Sequence, residues 1–180
     1  MGGWIMSKKE RDYGIYLARQ GLKHYLETGQ TMKTPKSIPP LFQAKRGTFV
    51  SIKTKNGQLR GCIGTLEPTQ KNLAEEIIQN AVSAGTSDPR FLPIEIPELE
   101  DLRISVDVIA PLEEVSSESE LDPKKYGVVI EKDGARGVLL PDLPGVSRAR
   151  EQVRIAADKA GIYDEKQARL YRFEVIRLAE

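Results

Sequence analysis

The sequence predicts an α+β fold: a largely antiparallel sheet built from hairpins, packed with about three helices, with room for a small second lobe. Three observations carry this expectation. Two pairs of alternating, β-branched segments flank the short turns at Asn56-Gly57 and Asp133-Gly134. Three longer segments repeat apolar residues at helical spacing behind a capping residue, at Ser7, Asn72 and Ser147. Helices and strands are interspersed, but hairpins make neighbouring strands antiparallel.

Taken in order, Ser7 and Glu10 form a capping-box pattern, and Tyr13, Tyr16, Leu17, Leu22, Tyr25 and Leu26 mark a first helix that Thr28-Gly29 stops. It carries His24, the only histidine, which a Cys-His pair would need as its base. A lone helical histidine beside Tyr25 is more often a packing or surface residue than a base. Residues 33–40 (KTPKSIPP) are proline-rich and read as an extended linker.

The first hairpin joins residues 48–55 and 58–65 through Asn56-Gly57, which can supply the two positive φ angles of a type I′ turn. A two-residue loop sets Lys53 opposite Arg60, Ser51 opposite Cys62 and Phe49 opposite Gly64. Thr54, Ile52 and Val50 then pair with Leu59, Gly61 and Ile63 on an apolar face. The other face gathers Lys53, Arg60, Ser51 and the only cysteine, with Gly61 and Gly64 leaving the backbone uncovered. A thiolate near cations is stabilised, which brings its pKa down from about 8.5 and raises its nucleophilicity at neutral pH. Cys62 and Arg60 are therefore candidate catalytic residues, and Lys53, Ser51, Gly61 and Gly64 candidate binding residues. The alternative is that Cys62 is a small hydrophobe under a covering helix.

Asn72 and Glu75 start a second helix whose Leu73, Ile77, Ile78, Ala81, Val82 and Ala84 form a core stripe, with Gly85 expected just past its end. In the following Ser87-Asp88-Pro89-Arg90-Phe91, Pro89 stiffens the loop, so Asp88 and Arg90 either face a ligand or pin each other. Residues 93–97 (PIEIP) are irregular or a short edge strand. In 103–108, Ile104, Val106 and Val108 alternate with polar residues as in a half-buried strand. The acidic run 113–122 reads as a solvated loop without calcium-loop spacing. A second hairpin spans 126–140, Ser147 caps a third helix ending at Gly161, and residues 170–178 read as one closing strand.

At 180 residues the chain reads as a single domain over 1–180, long enough for a real core. No apolar run approaches the roughly 20 residues of a membrane span, and the opening MGGWIM is too short for a signal peptide. One cysteine permits no internal disulfide and fits a reducing cytoplasm. One Cys and one His make structural zinc impracticable, and no phosphate loop, dinucleotide fingerprint or other cofactor motif appears. The net charge of +1 conceals +9 over residues 1–65, −11 over 66–122 and +3 over 123–180. A basic first third could meet nucleic acid, but the pI of 7.8 favours pairing of the basic and acidic parts within the fold.

The strings LRGCIGT, SDPRF, ISVDV and GVLLP, in that order, closely resemble the AMMECR domain family, named for the Alport syndrome, midface hypoplasia and elliptocytosis chromosomal region. The resemblance runs from the first helix to the last strand. It implies the fold and the place of a site, adds Asp88 and Arg90 as candidate binding residues near Cys62, and implies no particular reaction. It also implies an accessory role beside radical-chemistry or dioxygenase-like proteins. Two functions are expected in consequence. One is an enzyme or enzyme subunit with a ligand site at the Arg-Gly-Cys-Ile-Gly hairpin. The other is a binding or accessory module that meets a protein, nucleotide or nucleic acid through the basic first third.

Overall fold

A computed structural model describes residues 6–180. The remainder of the MGGWIM opening, residues 1–5, lies outside the described residues. The chain divides into two compact units, one running to Ile109 and taking back Ile176–Glu180, the other Ala110–Val175. Each has its own four-stranded sheet and its own apolar core, so the single sheet expected from the sequence is two.

In the first unit, helix α1 (Lys8–Thr28) begins at the Ser7–Glu10 capping box and ends at Gly29 in the left-handed region. It buries a narrow stripe of Gly14, Leu17, Ala18, Gly21 and Leu22, whereas Tyr16, one of the residues whose spacing marks the helix, is exposed. The linker ends in a one-turn helix α2 (Pro40–Gln43) that buries Phe42, an element the sequence did not announce. Strands β1 (Thr48–Thr54) and β2 (Leu59–Thr65) form the hairpin. Helix α3 (Leu73–Thr86) is capped by Asn72, which accepts the Glu75 N–H. Gly85 does not end α3. It is buried within the helix, where Leu22 of α1 lies against it. Residues 93–95 are irregular, one of the two readings the sequence allowed, residues 96–101 form a 3-10 turn, and β3 (Leu102–Ile109) follows with its expected core face. The sheet order is β2-β1-β3-β8, with β8 (Val175–Ala179) at the edge. Val50, Ile52, Ile104, Val106 and Val108 of this sheet meet Leu17, Leu22, Ile77, Ile78 and Ala81 of the helices in one core.

The second unit contains β4 (Glu113–Val115), β5 (Gly127–Lys132), β6 (Ala135–Leu139), α4 (Ala149–Ala160) and β7 (Arg169–Phe173), with sheet order β4-β7-β5-β6. The acidic run is thus partly a strand. Glu113 and Glu114 of β4 form ion pairs with Arg172 and Arg169 of β7, which makes a charged segment a good partner across the ladder. Arg148 occupies the α4 cap position with no side-chain cap bond, one residue after Ser147. The closing segment is two strands in different sheets, interrupted at Glu174.

No repeat is visible in the sequence, yet both units follow one pattern. A hairpin is followed by a helix and then by a strand that pairs antiparallel with the first arm of the hairpin: β1-β2-α3-β3 and β5-β6-α4-β7. Each places a glycine of the second arm beneath the helix. A methyl group on Gly61 would overlap the Ala84 carbonyl oxygen, and one on Gly137 would overlap that of Ala156. Aligning those glycines makes Ile52 equivalent to Ile130, Ser51 to Val129 and Cys62 to Val138.

Candidate functional site

The hairpin register agrees with expectation from Phe49–Gly64 through Ile52–Gly61 and departs from it nearer the turn. The loop has three residues. Gly57 donates to the Thr54 carbonyl, Thr54 donates to the Gln58 carbonyl, and Gly57 alone among the loop residues has a positive φ, +84°. This is a tight turn closed by a left-handed glycine in place of the expected type I′ pair. The additional residue is taken up by a bulge, so Lys53 faces Leu59 and not Arg60. Leu59 is correspondingly turned toward solvent.

The bulge frees Arg60 for another task. Its Nε and Nη2 hold both Glu98 oxygens at 2.9 Å, Nη1 donates to the Leu92 carbonyl at 2.7 Å and Nη2 to that of Pro93 at 3.2 Å. This fork binds residues 92–98 to β2 and holds the Glu98 carboxyl below its usual range. Lys53 is exposed and lies across from Arg103.

Gly61 and Gly64 do not bare the backbone. Gly61 admits the α3 carbonyl described above, and the Phe49 ring lies over Gly64. Both glycines permit close packing on either side of Cys62.

Cys62 itself is half-buried, and its sulfur lies 3.2 Å from the Ser51 hydroxyl. Its backbone N–H is donated to Asp88 Oδ2 at 2.9 Å, away from β1. Cys62 and Ser51 therefore form a non-hydrogen-bonded pair, the kind that brings side chains closest. Asp88, on the loop after α3, is buried, and it accepts four bonds in all. Arg90 supplies the other three, from its backbone N–H at 3.1 Å, Nε at 2.9 Å and Nη2 at 2.7 Å. These bonds, chiefly the Arg90 side chain and against the cost of burial, hold the Asp88 carboxyl well below the usual carboxylate range. The Arg90 guanidinium is raised in turn, mainly by Asp88, with the Cys62 sulfur adding a smaller electrostatic contribution. Arg90 Nη2 also reaches the Cys62 carbonyl at 3.4 Å, and its guanidinium lies 5.5 Å from the Phe91 ring. The two segments singled out in the sequence thus meet at the edge of the sheet, where the 88–90 loop satisfies backbone groups that an edge strand would otherwise leave open.

Ser105 of β3 pairs with Ser51 on the same face, extending a row Cys62–Ser51–Ser105 across three strands. The sequence reading passed over Ser105 and Glu98. The alternation of β3 places Ser105 opposite its core residues, a signal that was available; the Arg60–Glu98 pair left none, because 38 residues separate its members. The ring of His24 has no hydrogen bond to Cys62 among the described residues.

The equivalent row in the second unit is Val138–Val129–Tyr171. The same backbone pattern therefore forms without a thiol or a serine hydroxyl at these positions.

The chain is 47% identical over 158 residues to a protein of Thermotoga maritima, covering 87% of this chain and 91% of that one. It is 45% identical to a protein of Clostridium acetobutylicum, covering 96% of this chain and 37% of that longer protein. The crystal structure of an uncharacterized protein from Pyrococcus horikoshii superposes with a TM-score of 0.87 at 27% identity, covering 96% of this chain and 92% of that one. The AMMECR1 family model matches residues 15–178, through both compact units. With those motifs and that match, the chain belongs to the AMMECR1 family.

Proposed function

We propose that this protein is an enzyme or enzyme subunit whose ligand site centres on the Cys62 thiol. Ser51 is its hydrogen-bond partner, Asp88 fixes the backbone at Cys62, and Arg90 offers a guanidinium to the ligand. Arg60 enters as a positioning residue that holds the neighbouring segment, and Gly61 and Gly64 set the packing on either side. The observation that supports this reading most is the buried Asp88 carboxylate, which bridges the Cys62 N–H and the Arg90 side chain and so sets a charged group beside a half-buried sulfur. Residues 1–180 are read as one AMMECR domain, an assignment supported by the family match passing through both units. The single cysteine supports a reducing compartment such as the cytoplasm. No helix among the described residues is long and apolar enough to cross a membrane.

The test is the rate of Cys62 alkylation by iodoacetamide in the native protein against the urea-unfolded chain. A site thiol reacts at least as fast when folded; a merely structural one is protected when folded. Strong protection of the native thiol would end the reading.

The accessory reading draws on a different observation. The chain spans only 37% of the length of its Clostridium relative, so in that protein the matching region is joined to further sequence. An accessory domain would retain an associated protein, which co-purification of the full chain tests. The nucleic-acid version is weakened because basic residues of the first third are engaged internally, Lys55 with Asp101, Arg60 with Glu98 and Arg19 with Glu180. Binding to nucleic acid at low salt that falls steeply as salt rises would restore it.

A further inference from the structure

Resting on the reading of Cys62 as a site thiol, the geometry points to the chemical class of its ligand. We infer that Cys62 meets a small molecule bearing a carboxylate or phosphate group, its oxyanion received between Arg90 and the Ser51 hydroxyl.

The polarity of the Asp88–Arg90 pair is the first ground. The Asp88 side chain is 3% exposed and the Arg90 side chain 56%. The carboxylate is sealed inside and the guanidinium faces out, so the pair presents its positive end beyond the edge of β2. Asp88 occupies Nε and Nη2, which fixes the guanidinium plane, whereas Nη1 has no hydrogen-bond partner among the described residues. A planar arginine held this way and left with free N–H groups is suited to an oxyanion.

The surroundings of the sulfur supply the second ground. Arg90 lies on the edge side of Cys62 and Ser51 on the inner side, so a group seated above the sulfur meets a cation on one flank and a hydroxyl on the other. Lys53, two residues along β1 from Ser51 and so about 7 Å away on the same face, is exposed and has no acidic partner among the described residues. Among the described residues, no carboxylate other than the buried Asp88 is paired with Arg90.

The third ground is internal. The equivalent strand positions in the second unit carry Val138 and Val129, so the ββαβ pattern itself requires no polar group at the places of Cys62 and Ser51. Their polarity, and that of Ser105 beyond them, needs another cause, and a ligand with hydrogen-bonding atoms provides one.

Iodoacetate and iodoacetamide test this directly, being nearly equal in size and different in charge. Rate constants for Cys62 with each reagent are normalised to those of N-acetylcysteine. The native protein is expected to favour iodoacetate by about tenfold, the factor given by a contact of about 1.4 kcal/mol. The preference should fall in Arg90→Lys, whose ammonium cannot pair with Asp88 and leave a second planar N–H free, and disappear in Arg90→Gln. Inorganic phosphate, at constant ionic strength, should slow the iodoacetamide reaction of the native protein. A normalised preference of one in the native protein would overturn the oxyanion assignment and leave the thiol reading standing. Absence of reaction with either reagent would overturn both.

Discussion

Asn56-Gly57 and Asp133-Gly134 are both polar-glycine pairs between alternating arms, and the chain turns differently at each. At Asp133-Gly134 both residues have positive φ, 51° and 82°, and the ladder runs without interruption from Lys132–Ala135 to Val128–Leu139. That is the two-residue turn the dipeptide favours. At Asn56-Gly57 the loop is one residue longer, and Arg60 bulges out of the second arm. The two hairpins otherwise match, each with a helix carbonyl over a glycine of the second arm. The spacing from turn glycine to packed glycine records the difference, Gly57 to Gly61 against Gly134 to Gly137. Arg60 is the additional residue. It reaches Glu98 and two carbonyls, and it fastens the segment that leads from the Asp88 loop into β3. The regular hairpin closes a structural sheet, whereas the bulged one carries the thiol.

Substitutions can break or sharpen this comparison. The largest effect should come from Gly61→Val and Gly137→Val, where the new side chain would collide with helix backbone that cannot yield; each should cost about 3 kcal/mol or more in urea unfolding. If the helices merely slide, the losses will be small and the shared packing device is not essential. Arg60→Ala should cost about 2–3 kcal/mol by removing a bidentate, part-buried pair and two carbonyl contacts, and it should raise proteolysis in residues 92–98. Unchanged stability would make the bulge a passive irregularity.

Asp88→Asn should cost about 1–2 kcal/mol at neutral pH, the ion pair being discounted for the exposure of Arg90. The sign of its pH dependence follows from the depressed carboxyl. Stability from Asp88 is complete above the unfolded carboxylate pKa of about 3.9 and is lost as pH falls through that value toward the lower folded one. The stability gap between wild type and Asp88→Asn should therefore narrow from pH 7 to pH 3. The smallest effect separates the turns themselves. Asp133→Ala should cost about 1 kcal/mol because its φ is left-handed, and Asn56→Ala less than about 0.5 kcal/mol because its φ is not.

The sequence made much of this fold legible where the deciding forces are local. The Ser7–Glu10 box, the Asn72 cap, the alternation in β3 and the Ser51–Cys62 register all rest on neighbours in the chain or on a face that must be apolar. What could not be read depends on distant partners. Arg60 leaves the ladder for Glu98, β4 exists because Glu113 and Glu114 find Arg172 and Arg169, and Gly85 remains helical because Leu22 packs on it. At the candidate site, the motif resemblance linked Asp88 to Cys62, and the hydrogen bond between them is its structural form. The sequence points to Arg60 and Lys53 as the cations beside Cys62, whereas Arg90 is the one that reaches its backbone carbonyl.

The most direct test of the difference between the hairpins moves the thiol from one to the other. Cys62 and Val138 occupy equivalent strand positions and are both half-buried. Iodoacetamide rates should be measured on wild type and on the Cys62→Ser, Val138→Cys double variant, both shown to be folded. Cys62, flanked by Ser51 and Arg90, is expected to react about tenfold faster than the thiol placed opposite Val129. Equal rates, or a slower Cys62, would contradict the assignment of the first hairpin as the reactive one.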